Sequence, residues 1–167
     1  MSLLTISLTN TNNSPLINVS LTDNLPGNSI NGIVVAPVPN ASTTCGSGVV
    51  SAVSGTQTVS MTGGTIPAQA GAVPGLCTIT VNVTASVAGV YTNAIGVGAL
   101  STSGGTNTVA ASAVLSVAMP SFTVAKTVML VSDPVNGITL PKAIPGAVVG
   151  YSIFVTNTGL GTADNNA

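Results

Sequence analysis

Histidine, tryptophan, arginine and glutamate are absent from this chain of 167 residues, and its charged side chains number two lysines and three aspartates. General acid–base catalysis, zinc ligation and phosphate recognition draw on the missing side chains, so the composition excludes most active sites before any motif is read. No enzymatic activity and no cofactor are expected. Basic-patch binding of nucleic acid is excluded on the same ground. Aromatic residues are limited to two phenylalanines and two tyrosines, which leaves little surface for stacking on sugars. No apolar run approaches the roughly 18 residues of a membrane-spanning helix. The longest candidates, 30–38 and 143–149, are interrupted by Pro or Gly, so no membrane span is expected. The segment Met1-Ser2-Leu3-Leu4 lacks the positive charge, apolar stretch and cleavage site of an intact secretory signal. A removed leader or a fragment of a longer protein is the expectation there.

What remains is Val, Thr, Ser, Ala, Gly and Asn, a mixture that favours strands over helices. Apolar and polar residues alternate over 4–9, 17–21, 56–61, 77–83, 109–117, 122–128 and 151–155, the period-2 pattern of strands with one face on a core. Turn dipeptides separate them: Pro26-Gly27, Asn31-Gly32, Gly63-Gly64, Pro74-Gly75, Gly104-Gly105, Asn136-Gly137 and Pro145-Gly146. Short, even spacing of strands and turns predicts an all-β, immunoglobulin-like antiparallel β-sandwich. Cys45 and Cys77 have no further Cys or His with which to complete a zinc tetrahedron. A disulfide is expected in preference to two buried thiols, and with it maturation in an oxidising compartment. Charged residues make up 3% of the chain, against roughly 25% in ordinary soluble proteins, which points to life in an assembly or on a cell surface. Glycosylation-type triplets at Asn12, Asn18, Asn40 and Asn82 fit exposure, but a chain this rich in Asn, Ser and Thr produces them by chance.

The chain also resembles itself. Residues 4–20 align without gaps on 151–167, with Ile6 on Ile153, Thr9-Asn10-Thr11 on Thr156-Asn157-Thr158, and Asn18 on Asn165, five matches in seventeen positions. The C-terminus therefore reads as the start of a second copy of the module at a spacing of about 147 residues. The boundary is expected near Ala118-Met119-Pro120-Ser121, giving a first domain over 1–119 and a partial second module over 120–167. Half a sandwich cannot bury both faces or satisfy its edges.

Several stretches are similar to those of bacterial surface repeats known as domain of unknown function eleven, an immunoglobulin-like module of secreted and cell-surface proteins. In the first unit they are 19–26 (VSLTDNLP), 63–68 (GGTIPA), 77–83 (CTITVNV) and 89–93 (GVYTN). In the second they are 125–127 (AKT), 132–137 (SDPVNG), and 144–151 (IPGAVVGY) running to 155–159 (VTNTG). The resemblance implies a secreted or surface-displayed structural module without catalytic activity. It also implies an opening strand that the first unit lacks, since that unit begins at the position of the family's tyrosine strand, Leu4. The missing strand is present in the tail, within Phe122 to Val149. One subunit's tail is thus expected to complete the next subunit's sandwich by strand addition, a head-to-tail contact that generates a filament when it does not close.

The inter-subunit strand residues expected on this reading are Phe122, Val124, Val128, Ile144, Val148, Ile153 and Val155. Related pilin modules join Lys to Asn or Asp beside a buried acid. In this chain that set is Lys126 or Lys142, with Asp23 as the acid and Asn93 or Asn10 as the acyl partner; solvated lysines are the preferred reading. Residues 133–137 (DPVNG) and 164–166 (DNN) offer oxygens for calcium, but two separated aspartates are a poor start toward six to eight ligands, and a turn is preferred. No metal site is expected. The expected function is a non-enzymatic subunit of an extracellular bacterial filament or surface layer, its partners copies of itself. A stalk or adhesin repeat cut from a larger surface protein is the alternative.

Overall fold

The computed structural model describes residues 1–161. Among them the backbone forms strands and turns and no helix, so the fold is all-β. The chain divides into two units, Met1–Val117 and Ala118–Ala167, a boundary slightly N-terminal of the expected one at Met119.

Unit 1 contains β1 (Ser2–Asn10), β2 (Leu16–Asn24), β3 (Ile33–Val35), β4 (Ser42–Thr43), β5 (Val49–Ala52), β6 (Thr58–Ile66), β7 (Gly75–Ala85), β8 (Gly89–Ile95), β9 (Leu100–Thr102), β10 (Gly105–Thr106) and β11 (Ala111–Val117). All pairings are antiparallel. One sheet runs β1-β7-β3, with β4 also on β7; the second runs β10-β9-β2-β6-β5; β8 and β11 pair as a two-stranded ribbon. The side chains that turn inward alternate with polar ones. Cys77, Ile79, Val81 and Val83 of β7 are buried while Thr78, Thr80 and Asn82 point outward, as a period of two requires. Ile6 and Leu8 of β1, Val19 and Leu21 of β2, and Val59, Met61 and Ile66 of β6 meet them in one core. Each such side chain contributes about 1.5–3 kcal/mol when fully removed from water.

Two irregularities adjust the register. Asn18 takes a positive φ of 54° and the β2–β6 pairing shifts on either side of Val19. The pair Gly63-Gly64, expected as a turn, lies inside β6, with Gly63 at φ 68°. The extra residue moves the buried positions from Val59 and Met61 to Gly64 and Ile66, which is what a β-bulge does to a strand's two faces. Cys45, just past β4, is bonded to Cys77 of β7 with a Cα–Cα distance of 4.9 Å, both residues buried. The disulfide ties an irregular connection to the central strand.

Unit 2 is a hairpin of β12 (Phe122–Ser132) and β13 (Val148–Asn157). Phe122 lies opposite Asn157, Val124 opposite Val155, Lys126 opposite Ile153, Val128 opposite Tyr151 and Leu130 opposite Val149. Alternation places these ten residues on one face, apolar but for Lys126 and Asn157. The other face carries Thr123, Ala125, Thr127, Met129, Gly150, Ser152, Phe154 and Thr156. The apolar face is open to solvent: Val124, Val128, Ile153 and Val155 are all exposed. Ile144, expected in a strand, lies instead in the connection between β12 and β13, where its N–H bonds the Lys142 carbonyl. Val148 pairs with Ser132 beyond a register shift.

Candidate functional site

β1 is the terminal strand of its sheet and β11 is one of the two strands of its ribbon, so each has one edge without a strand partner among the described residues. Between them runs a groove. At one end Thr9, Thr11 and Asn12 face Thr108, Val109 and Ala111 across a cavity of about 780 Å³. In the middle Leu4 to Ser7 face Ala111 to Ala113 across about 170 Å³. At the other end Ser2 to Thr5 face Ala113 to Leu115 across about 310 Å³. Neighbouring stretches share lining residues, and numbers rise along β1 as they fall along β11. The two bordering strands are therefore antiparallel, and the groove follows β1 from end to end. Its walls include the core residue Leu21 with the half-buried Leu16 at one end, and the core residues Leu25 and Ile33 at the other. One side of the core is thus open at a seam bordered by unpaired backbone, and unpaired strand edges are templates for pairing in general.

A polar pair, Asp23 buried and Asn93 half-buried, stands beside the middle of this seam. Asp23 of β2 is 1% exposed, and Asn93 of β8 donates its side-chain N–H to Asp23 Oδ2 at 2.7 Å. Asp23 Oδ1 and Asn93 Oδ1 are both buried and accept no hydrogen bond, and a buried acceptor left without a donor costs about 1–3 kcal/mol. Burial pushes the Asp23 carboxyl above the usual carboxylate range, partly offset by the bond from Asn93. Asn93 itself lines the middle and far stretches of the groove. Two acceptors with no donor, next to an open channel, suit a group that only donates.

Two members of the expected acid–amide–lysine set, Asp23 and Asn93, are therefore in contact. Asn10 is otherwise engaged: it is 1% exposed, and its amide donates to the carbonyls of Ser14 and Pro67, both at 2.9 Å. Lys126 belongs to unit 2, where its Nζ stands 4.2 Å above the Tyr151 ring. The Lys142 side chain is exposed and its backbone N–H bonds Asp133. The groove-lining residues of β11, and Leu100 and Ile95 before it, were not among the expected site residues.

Asp133 works as a turn organiser. Its Oδ1 accepts the N–H groups of Val135 and Asn136, and its Oδ2 those of Lys142 and the Asn136 amide. The carboxylate oxygens that a calcium ion would need are filled by N–H donors. The other calcium candidate, 164–166, lies outside the described residues, as does Asn165 of the self-alignment. Among the glycosylation-type triplets, Asn82 has its amide bonded to the Val38 carbonyl at 3.1 Å.

The family model described as domain of unknown function (DUF7933) matches residues 1–117, the whole of unit 1. No curated protein and no solved structure matches the chain.

Proposed function

The chain belongs to the DUF7933 family, and we propose that it is a non-enzymatic structural subunit of an extracellular or cell-surface assembly, polymerising head to tail by β-strand complementation. The observation that carries this reading is the seam between β1 and β11. Its occupant is β12 of a second copy. The alignment of 4–20 on 151–167 makes β13 the counterpart of β1, so β12, the partner of β13, is the counterpart of the strand that would lie beside β1. Transferring the β12–β13 register places Phe122 opposite Asn10, Val124 opposite Leu8, Lys126 opposite Ile6, Val128 opposite Leu4 and Leu130 opposite Ser2. The widest stretch of the groove thereby receives the largest side chain, Phe122.

The exchange takes β12 from β13 and carries Lys126 into the seam, and apolar burial works against those costs. In the hairpin, β12 has one strand partner and its apolar face in water; a two-stranded hairpin alone is marginal. In the seam it keeps an equivalent partner, β1, gains the edge of β11, and buries Phe122, Val124, Val128 and Leu130 at about 1.5–3 kcal/mol each. The disulfide, the low charge and the resemblance to domain of unknown function eleven support an immunoglobulin-like module in an oxidising, extracellular setting.

A second reading, a stalk or adhesin repeat within a longer surface protein, is favoured by β13, since a minimal donor tail would not duplicate a strand the acceptor already owns. Electron microscopy of the purified full-length chain separates the two. Regular filaments of this single protein, shortened by excess of a synthetic peptide spanning residues 121–133, are expected for the subunit. Monodisperse particles that stay single at high concentration would leave the stalk.

A further inference from the structure

We propose that Asp23 and Asn93 form a proton-closed latch: a proton on Asp23 Oδ1, donated to Asn93 Oδ1, completes a cyclic acid–amide pair that fastens the β8–β11 ribbon to β2, and the ribbon loosens when that proton leaves for solvent. The latch lies wholly within unit 1 and does not depend on strand exchange.

The ribbon needs a fastening because no ladder joins it to either larger sheet. Tyr91, Ile95 and Leu115 pack against the core and hold part of it. Among the described residues, two side chains on its strands also bond to the rest of unit 1. The Tyr91 hydroxyl lies 3.0 Å from the Asn31 carbonyl and 2.9 Å from that of Val87, and Asn93 Nδ2 donates to Asp23 Oδ2 at 2.7 Å.

The bond from Asn93 to Asp23 is half of a pair. A carboxylic acid and a primary amide set edge to edge exchange two hydrogen bonds, amide N–H to acid carbonyl and acid O–H to amide carbonyl. The first of these is present. The second would join Asp23 Oδ1 to Asn93 Oδ1, and these are the buried side-chain atoms that stand without a partner among the described residues. Both are acceptors while Asp23 is ionised, and one proton satisfies both at once. A larger donor in the groove does not reach Oδ1, since Asp23 is 1% exposed and lines none of the three stretches.

Nothing packed on Asp23 favours its charged form. Residues 1–117 contain no Lys or Arg, and Met1, which carries the terminal amine, is exposed. The ladder neighbours of β2, β6 and β9, bear no titratable side chain. β8 bears Tyr91, whose hydroxyl is turned to the carbonyls of Asn31 and Val87. Burial accordingly raises the Asp23 carboxyl, so the latch is closed at acid pH and opens as pH rises through the elevated value. β11 borders the groove along its length, and the proton therefore sets how firmly one wall of the seam is held.

The test follows the dilute full-length chain by NMR across a pH series. The Asp23 carboxyl carbon reports its titration, and hydrogen exchange, corrected for its intrinsic pH dependence, reports the protection of the β8 and β11 amides. Protection of the ribbon should fall about tenfold, the scale of one lost hydrogen bond, with a midpoint that coincides with the Asp23 titration, while β1 and β7 stay protected. Asp23→Asn replaces the acid O–H by an amide N–H, which closes the same pair with no proton to lose, so its ribbon should stay protected throughout. Asn93→Ala should show the lower protection at every pH. A ribbon whose protection is unchanged through the Asp23 titration overturns the latch, and the wild-type chain alone decides this if a variant fails to fold. A fall that persists in Asp23→Asn overturns the assignment to Asp23.

Discussion

Asn10 and Asn157 build the same turn at equivalent places in the two units. Asn10 Oδ1 accepts the N–H of Asn12 and its Nδ2 donates to the carbonyl of Ser14. Asn157 Oδ1 accepts the N–H of Gly159 and its Nδ2 donates to the carbonyl of Gly161. The spacings, two residues forward and four residues forward, are identical. A five-in-seventeen sequence match is weak, but a side chain used the same way at the end of the same strand is an independent coincidence. It fixes the register that the proposed strand exchange uses.

The shared turn does unequal amounts of structural work. In unit 1 the Asn10 amide also bonds the Pro67 carbonyl and is buried, so Asn10→Ala should leave polar groups unsatisfied and lower the stability of unit 1 by about 1–3 kcal/mol. Asn157 is exposed, and Asn157→Ala should leave the unit 1 transition unmoved. Chemical denaturation of both variants checks this. Equal losses would mean that the two turns are not graded by burial.

The Cys45–Cys77 bond closes a loop with a sequence separation of 32. Constraining that loop in the unfolded chain is worth about 3–4 kcal/mol in the entropic account. The paired Cys45→Ser, Cys77→Ser variant should lose stability of that order, since both positions are buried and the loop constraint is lost. Denaturant midpoints with and without reductant provide the measurement. An unchanged midpoint would show that the core alone holds β4 against β7.

Much of the fold was legible because long strands write their alternation into the sequence. β1, β7, β12 and β13 were placed by the period of Ile6-Leu8, Cys77-Ile79-Val81-Val83, Val124-Val128 and Ile153-Val155. The short strands β3, β4, β5, β9 and β10 were not, because two to four residues carry no period and are recruited by neighbours distant in sequence. Gly63-Gly64 misled for a related reason: the same dipeptide that makes a turn between strands makes a bulge within one, and pairing decides which. Ile144 was misplaced because the apolar run around it contains Pro145-Gly146, which keeps it outside the ladder. Asp23 is expected beside an amide that is either Asn93 or Asn10, and the choice between them depends on β2 and β8 meeting across 70 residues. The seam itself leaves no mark in the alternation of β1 or β11, since a strand reads the same whether its edge is paired or open.

The two described aspartates should titrate in opposite directions. Four N–H donors, the backbone of Asn136 foremost, lower the Asp133 carboxyl to about 2. Because the ordinary value is 3.8, its contribution to holding the connection over 133–142 is complete above that pH and is lost as pH falls from 3.8 to about 2. Burial raises Asp23, so the folded state binds that proton more tightly than the unfolded one. Its contribution is complete below 3.8 and is lost as pH rises through the elevated folded value. Carboxyl carbon NMR titration should therefore find one residue below and one above the ordinary value. Asp23→Asn should remove the loss on the alkaline side. Two overlapping titrations near 3.8 would show that neither environment is as described.

Val81 and Val124 are the same side chain in opposite situations, and their truncation separates folding from assembly. Val81 is 1% exposed in the centre of β7, whereas Val124 is 68% exposed on the open face of the hairpin. Val81→Ala removes two buried methyl-sized groups and leaves a cavity, so unit 1 should lose about 2 kcal/mol. Val124→Ala removes nothing that the isolated chain buries, and its denaturation midpoint should match wild type. In the proposed strand exchange, however, Val124 lies opposite Leu8, and the lost burial should raise the concentration needed for assembly roughly tenfold, the factor that about 1.4 kcal/mol carries at 25 °C. Sedimentation or light scattering across a concentration series reads that shift directly. If Val124→Ala assembles at the wild-type threshold, β12 does not enter the groove in the register set by Asn10 and Asn157.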